Sequence, residues 1–267
     1  MSSFEAFILG IVQGLTEFLP VSSSGHLTIA KALFGIETSD LSFEVTVHAA
    51  TVLATLVVFR KEIRQLLCGL FKFRYNDETK YILMICVSMI PVFIIGMFFK
   101  DQVEAIFGEG LMVVGICLLI TALLLFLSES VKKAQSKADA SKPITFKTAL
   151  WMGLAQAVAV LPGLSRSGST IATGLLCGAG KEQVAKFSFL MVLVPILGEA
   201  FLDVVGGEMA ASAAGIPALA IGFASAFVSG LFACKAMIAT VKKAKLKWFA
   251  LYCLAAAAFC IIFNFAG

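Results

Sequence analysis

QGLTEFLPVSSSGH, residues 13–26, places an amide, an acid, three serines and a histidine inside a run that is otherwise fit for lipid. Polar groups in hydrocarbon are costly, and by default they mark a site. Pro20 biases Leu19 away from helical geometry, so the apolar segment 4–19 should break there. A second short apolar piece runs from about 26 to 34. Neither reaches the roughly 20 residues that a spanning helix needs. Two half-length helices around a Pro/Ser/Gly turn read as a re-entrant hairpin, which survives at membrane depth only when buried in protein or lining a wet cavity.

The core of this stretch returns later: LPVSSSG at 19–25 is matched by LPGLSRSG at 161–168. The second turn again sits between two short apolar pieces, about 146–161 and 168–179. Three longer spans follow each hairpin, near 43–59, 81–99 and 111–127 in the first half and near 187–205, 214–234 and 248–265 in the second. The expected fold is therefore all-α, a single membrane domain over 1–267, with repeat one at 1–128, a polar linker at 129–145 and repeat two at 146–267. Each half is one re-entrant helical hairpin plus three transmembrane helices. Three crossings are odd, so the second copy lies inverted, the plan of many transporter-type folds.

Composition agrees with a membrane protein. The chain is 60% hydrophobic and 14% charged, with mean hydropathy +0.97, whereas soluble domains run near 25% charged. Glu5 sits where a signal peptide would carry a basic region, so the first apolar segment is expected to be retained. The segments 60–80, 129–147, 181–186 and 235–247 hold 18 of the 21 Lys and Arg. That grouping accounts for the net charge of +4 without a nucleic-acid partner. The layout puts all four segments on one face, which the positive-inside rule makes cytoplasmic. Asp101, Glu104, Glu109, Asp203 and Glu208 fall on the opposite face. The first hairpin then enters from outside and the second from the cytoplasm, with their turns meeting near the midplane. Seven scattered cysteines form no metal or redox spacing and read as small apolar residues in packed helices.

Arg166 is the one cation that this layout leaves at membrane depth, where it needs an anionic partner. Its planar fork suits bidentate binding of phosphate; the alternative is a structural ion pair with Glu17 or Glu44. Ser22, Ser23 and Ser24, and likewise Ser165 and Ser167, immediately precede half-helices, whose N-termini bind anions. Thr170 adds a hydroxyl near Arg166. A serine before a helix is more often only an N-cap, so the pairing of the two turns carries the argument. Gln13 and Glu17, at i and i+4, share a helix face and would offer oxygen ligands to Mg²⁺ or Ca²⁺ alongside a diphosphate; Glu17 could instead pair with Arg166. His26, across a tight turn from Ser23, reads as a general base for that serine or for water. Glu44 and His48 form a further i, i+4 pair expected to support the site. Glu199 is an intramembrane acid with no evident role.

At these residues the sequence resembles the undecaprenyl-diphosphate phosphatase, or bacitracin-resistance, family. That family is marked by an (E/Q)xxxE motif running into a Pro/Ser-rich turn with His, and by PGxSRSxxT. Here they are Gln13-Gly-Leu-Thr-Glu17 followed by LPVSSSGH, and PGLSRSGST at 162–170. The similarity spans essentially the whole chain, with FEV (43–45) and FSF (187–189) after the hairpins. The resemblance implies hydrolysis of undecaprenyl diphosphate to the monophosphate carrier lipid, dependent on a divalent cation. It places the protein in the bacterial plasma membrane with a site open to the outer face. Glu17, Ser23, His26 and Arg166 would form the core, with Ser22, Ser165, Ser167 and Thr170 in contact. Gln13 departs from the acidic form of the motif, which weakens any scheme needing two carboxylates on a metal. Partners would be the polyprenyl diphosphate, the membrane and, at most, a second copy in a homodimer. The rival class is a polyprenyl-phosphate flippase, which inverted repeats with broken helices also fit.

Overall fold

The computed structural model describes residues 1–36, 41–99, 102, 110–133, 142–206, 215–243 and 245–266; within these, the side chains of 41, 131–133, 199–206, 239–243 and 266 lie outside the description. All described regular structure is helical. The acidic positions Asp101, Glu104, Glu109 and Glu208 and much of the linker fall outside the described residues, as do the side chains of Glu199 and Asp203.

The first hairpin is α1, Ser3–Phe18, and α2, Ser23–Phe34. Ser2 and Glu5 form a capping box that starts α1. The helix ends with Leu19 in extended geometry, as a residue before proline requires. The second pair is α7, Phe146–Val158, and α8, Arg166–Leu176. At about 1.5 Å per residue, these four helices are roughly 16–24 Å long, short of the ~30 Å hydrocarbon core. Both breaks thus occur where the Pro-containing turns are written.

Between the pairs lie α3 (Leu41–Val58), α4 (Arg60–Leu70), α5 (Asp77–Phe98) and α6 (Leu111–Lys133). After the second pair come α9 (Lys181–Gly206), α10 (Ile216–Lys243) and α11 (Lys247–Ala266). Stretches of α5, α6, α10 and α11 are each long and apolar enough to cross a membrane, and α3 qualifies only together with α4, from which it bends by 72°. The protein is a multi-pass membrane protein. Of the six expected spans, four stand alone on this measure, 43–59 falls in α3 and 187–205 falls in α9.

One element differs from the sequence reading, which left 60–80 as a basic loop. The chain forms α4 there because the charges fall on one side. Arg60, Lys61 and Arg64 are exposed, while Ile63 and Leu66 pack on the core.

Small residues set the close packing. A Cβ on Gly10 would lie 2.4 Å from Gly222 O, and one on Gly14 would lie 2.5 Å from Ala226 O, so α1 and α10 touch backbone to backbone. The second half repeats the device: a Cβ on Gly153 of α7 would lie 2.3 Å from Ser88 O of α5. Helices α6 and α11 pair along their length, and α3 rests on α9 and α10. Large side chains such as Phe93, Met97 and Phe98 of α5 and Phe259 and Ile262 of α11 remain exposed, as a lipid-facing surface requires.

Candidate active site

The two turns have the same local construction. Ser22 caps α2, its Oγ accepting from Gly25 N at 3.3 Å; Ser165 caps α8, its Oγ accepting from Gly168 N at 3.0 Å. They also touch one another. Ser167 Oγ donates to Leu19 O at 3.0 Å, and Gly163 N donates to Ser24 Oγ at 3.4 Å. A Cβ on Gly25 would stand 3.1 Å from Gly163 Cα, so the two turns approach closely at residue 25. Four motif residues, paired across 139 and 148 positions, are thereby brought to one place, with the N-termini of α2 and α8 beside each other.

Glu17 is the centre of the polar cluster. Its Oε2 accepts from Ser23 Oγ at 2.5 Å and from Gln13 Nε2 at 2.9 Å. His48 Nε2 approaches the same oxygen at 3.8 Å. The Glu17 side chain is only 9% exposed, so these contacts are made largely out of water. Gln13 is fully buried, and its Oε1 has no hydrogen-bond partner among the described residues. An orphaned amide oxygen beside a carboxylate is a donor set of the kind that hard divalent cations take, with phosphate oxygens completing the shell. Among the described residues no cluster of three or more His, Cys, Asp or Glu is poised to hold a metal. Protein oxygens here fit a cation shared with substrate rather than one held by the chain alone.

Across a cavity from Glu17 stands Arg166, the first residue of α8. Thr55, Ser167 and Ser188 line the same space. Val52 of α3 and Phe189, Val192, Leu193 and Ile196 of α9 continue it as an apolar wall. Arg166 is half-buried, and among the described residues no carboxylate lies within ion-pair distance of its guanidinium.

Several residues lie where the sequence did not put them. His26 does not pair with Ser23. Its Nδ1 is 2.7 Å from Ser22 O and its Nε2 is 2.7 Å from Tyr252 OH, so both ring nitrogens are taken. Glu44 and His48 are not joined side chain to side chain. His48 Nδ1 bonds the main-chain O of Glu44 at 2.9 Å, leaving Nε2 for Glu17, while the Glu44 carboxylate pairs with Lys31. Thr170 is wholly buried and bonds Ser188 Oγ at 2.6 Å and Arg166 O at 2.9 Å, bracing α8 against α9. Ser165 is 1% exposed and spent on its cap. Ser22 and Ser24 sit in the first turn, their hydroxyls 3.4 Å apart.

Sequence reasoning missed Lys31, Ser188 and Tyr252. Lys31 left a signal, being one of three cations outside the basic segments. Ser188 was quoted only as the middle of FSF, and Tyr252 looked like an ordinary residue of an apolar span.

Comparison with known proteins covers nearly the whole chain. The profile described as "Bacitracin resistance protein BacA" covers residues 6–259. The chain is 61% identical over 257 residues to a protein of Parabacteroides distasonis named undecaprenyl-diphosphatase, covering 95% of each. It is 58% identical over 257 residues to one of that name from Bacteroides fragilis, again 95% of each. With the Christiangramia forsetii protein of the same name it shares 48% over 269 residues, all of both chains. With Glu17 and Arg166 lining one cavity and its length matched nearly end to end, the chain belongs to the bacitracin resistance protein BacA family.

Proposed function

We infer that this cavity is where the protein carries out its family's reaction. The protein is a membrane hydrolase: it cleaves undecaprenyl diphosphate with water to undecaprenyl phosphate and inorganic phosphate, recycling the carrier lipid of cell-wall synthesis. The observation that carries the site assignment is Arg166, a half-buried guanidinium without a carboxylate partner among the described residues, lining one cavity with Glu17, whose carboxylate accepts from Ser23. A cation so placed calls for an anion from outside the chain.

The roles follow from the geometry. Arg166 grips the diphosphate through its fork, and the N–H groups of α2 and α8 face the same charge. Ser23 already donates its proton toward Glu17 Oε2, so the carboxylate is placed to take that proton as the serine oxygen attacks the terminal phosphorus and the bridging P–O bond breaks, releasing undecaprenyl phosphate. The phosphoserine formed would then be cleaved by water, with Glu17 returning the proton. Gln13 and Glu17 would hold a divalent cation, Mg²⁺ or Ca²⁺, which when bound neutralises phosphate charge. His48 holds Glu17 in place. The apolar wall of α3 and α9 offers the prenyl tail a path toward lipid.

Like contacts in the two halves, α1 on α10 and α7 on α5, support an inverted-topology repeat with two re-entrant hairpins. The grouping of basic residues supports a cytoplasmic face for 60–80 and a site opening outward.

Phosphate release from undecaprenyl diphosphate by the purified protein, with and without EDTA, tests this reading. Release that EDTA abolishes and added Mg²⁺ or Ca²⁺ restores is expected. Undiminished release in EDTA would remove the cation from the scheme, and no release under either condition would overturn the site assignment.

A further inference from the structure

Helix α11 reaches the first turn at two adjacent residues. Cys253 Sγ lies 3.6 Å from Pro20 O, and Tyr252 OH lies 2.7 Å from His26 Nε2. The phenol and imidazole planes are 10° from parallel, with centroids 5.5 Å apart. On its other side, His26 Nδ1 is 2.7 Å from Ser22 O. A carbonyl only accepts, so Nδ1 carries the ring hydrogen. Nε2 of the neutral ring is then a lone pair, and the phenol must be its donor.

This pairing matters because Ser22 is strained. Its φ of 71° lies in the left-handed region, which a residue with a side chain adopts only when neighbours hold it there. Ser22 O accepts both from the His26 ring and from His26 N at 3.2 Å. The ring therefore braces the turn that presents Ser23, and Tyr252 holds the ring.

We propose that Tyr252 is a positioning residue for the hydrolysis, its hydroxyl holding the His26 ring in the orientation from which Nδ1–H braces the Ser22–Ser23 turn. The proposal rests on the placement of the reaction at Ser23 and Glu17. It assigns a task in that reaction to a residue 226 positions along the chain. In this arrangement the one His26 lone pair is capped, and the ring serves the turn rather than accepting a proton from Ser23.

The chain has two histidines, so ¹⁵N-histidine NMR of His48→Gln protein, purified through a histidine-free tag, reports His26 alone and needs no substrate. A single Nδ1–H tautomer is expected. Tyr252→Phe keeps the ring and removes the donor, whereas Tyr252→Gln keeps a donor and removes the ring. The Nδ1–H proton should exchange with solvent faster in Tyr252→Phe, whose ring is no longer held at Nε2, and at an unchanged rate in Tyr252→Gln. Unchanged exchange in Tyr252→Phe, or faster exchange in Tyr252→Gln alone, would overturn the proposal. Turnover is measured in the His48-containing protein. There kcat should fall about tenfold in Tyr252→Phe with KM little changed, less than the 10²–10⁴-fold that loss of a full acid–base group costs. Faster Nδ1–H exchange with unaltered kcat would also overturn it. Wild-type turnover in Ser23→Ala would instead overturn the placement of the reaction, while the NMR result would still report on the tyrosine–histidine contact.

Discussion

The turns at 21–26 and 164–169 are built alike and differ in what they carry. Each has a serine cap bonded to a glycine N–H three residues on, and in each the cap hydroxyl stands 3.4 Å from the next-but-one serine. Between those serines the first turn has Ser23 and the second Arg166. After the shared glycine, the first has His26 and the second Ser169. Upstream, Gln13 and Gln156 each sit nine residues before the capping serine, and each leaves its Oε1 without a partner among the described residues. Between glutamine and turn, the first helix adds an acid, Glu17, and the second has none. The shared parts make two close-set helix N-termini; the differences put the hydroxyl proposed to react in one turn and the arginine in the other.

If the turns enter from opposite faces, their flanks lie on opposite faces too. In a cysteine-free background, Gly215→Cys should label with an impermeant thiol reagent in intact cells and Lys72→Cys should not. Both positions are exposed in the structure. Labelling of both from outside would contradict the inverted arrangement.

Ser23→Ala should lower kcat by more than about 10³-fold, the scale of losing a nucleophile. Its first-turn neighbour Ser24 should matter far less, being engaged with Gly163 N. Arg166→Lys keeps the charge and loses the fork, so kcat/KM should fall about 10²-fold while the protein still inserts and folds. Near-normal turnover in the lysine variant would make Arg166 a generic counter-charge. Smallest is Thr170→Val. It removes a buried hydroxyl that bonds Ser188, costing about 1–2 kcal/mol of stability and lowering the melting temperature by a few degrees. Turnover should stay close to wild type, because that hydroxyl does not face the cavity. A loss of activity as large as that of Arg166→Lys would restore Thr170 as a phosphate contact.

Much of this comparison was legible in the sequence because lipid makes polar residues conspicuous. Pro20, the serine runs, Glu17 and Arg166 stand out against apolar neighbours, and α1 breaks where proline dictates. Partner choice was not legible. Ser23 chooses Glu17 over His26, and Glu44 chooses Lys31 over His48, through packing among α1, α2 and α3 that spacing along one helix does not encode. The Tyr252 contact depends on α11 folding back across the whole chain. Helix α4 was hidden for another reason: its six apolar and small positions were outweighed by basic residues, and a segment read by charge alone looks like a loop. Ends were displaced by caps, as at Asn76, whose bond to Thr79 N starts α5 four residues before the expected span.

The central claim is that Ser23, hydrogen-bonded to Glu17, takes the terminal phosphoryl group. Acid-quenching the enzyme during turnover of substrate labelled in its terminal phosphate, followed by mass spectrometry of the 19–30 peptide, tests it directly. The account predicts labelled phosphoserine at Ser23 that is absent from Ser23→Ala. No phosphopeptide, together with substantial turnover in Ser23→Ala, would contradict it and leave direct attack by water.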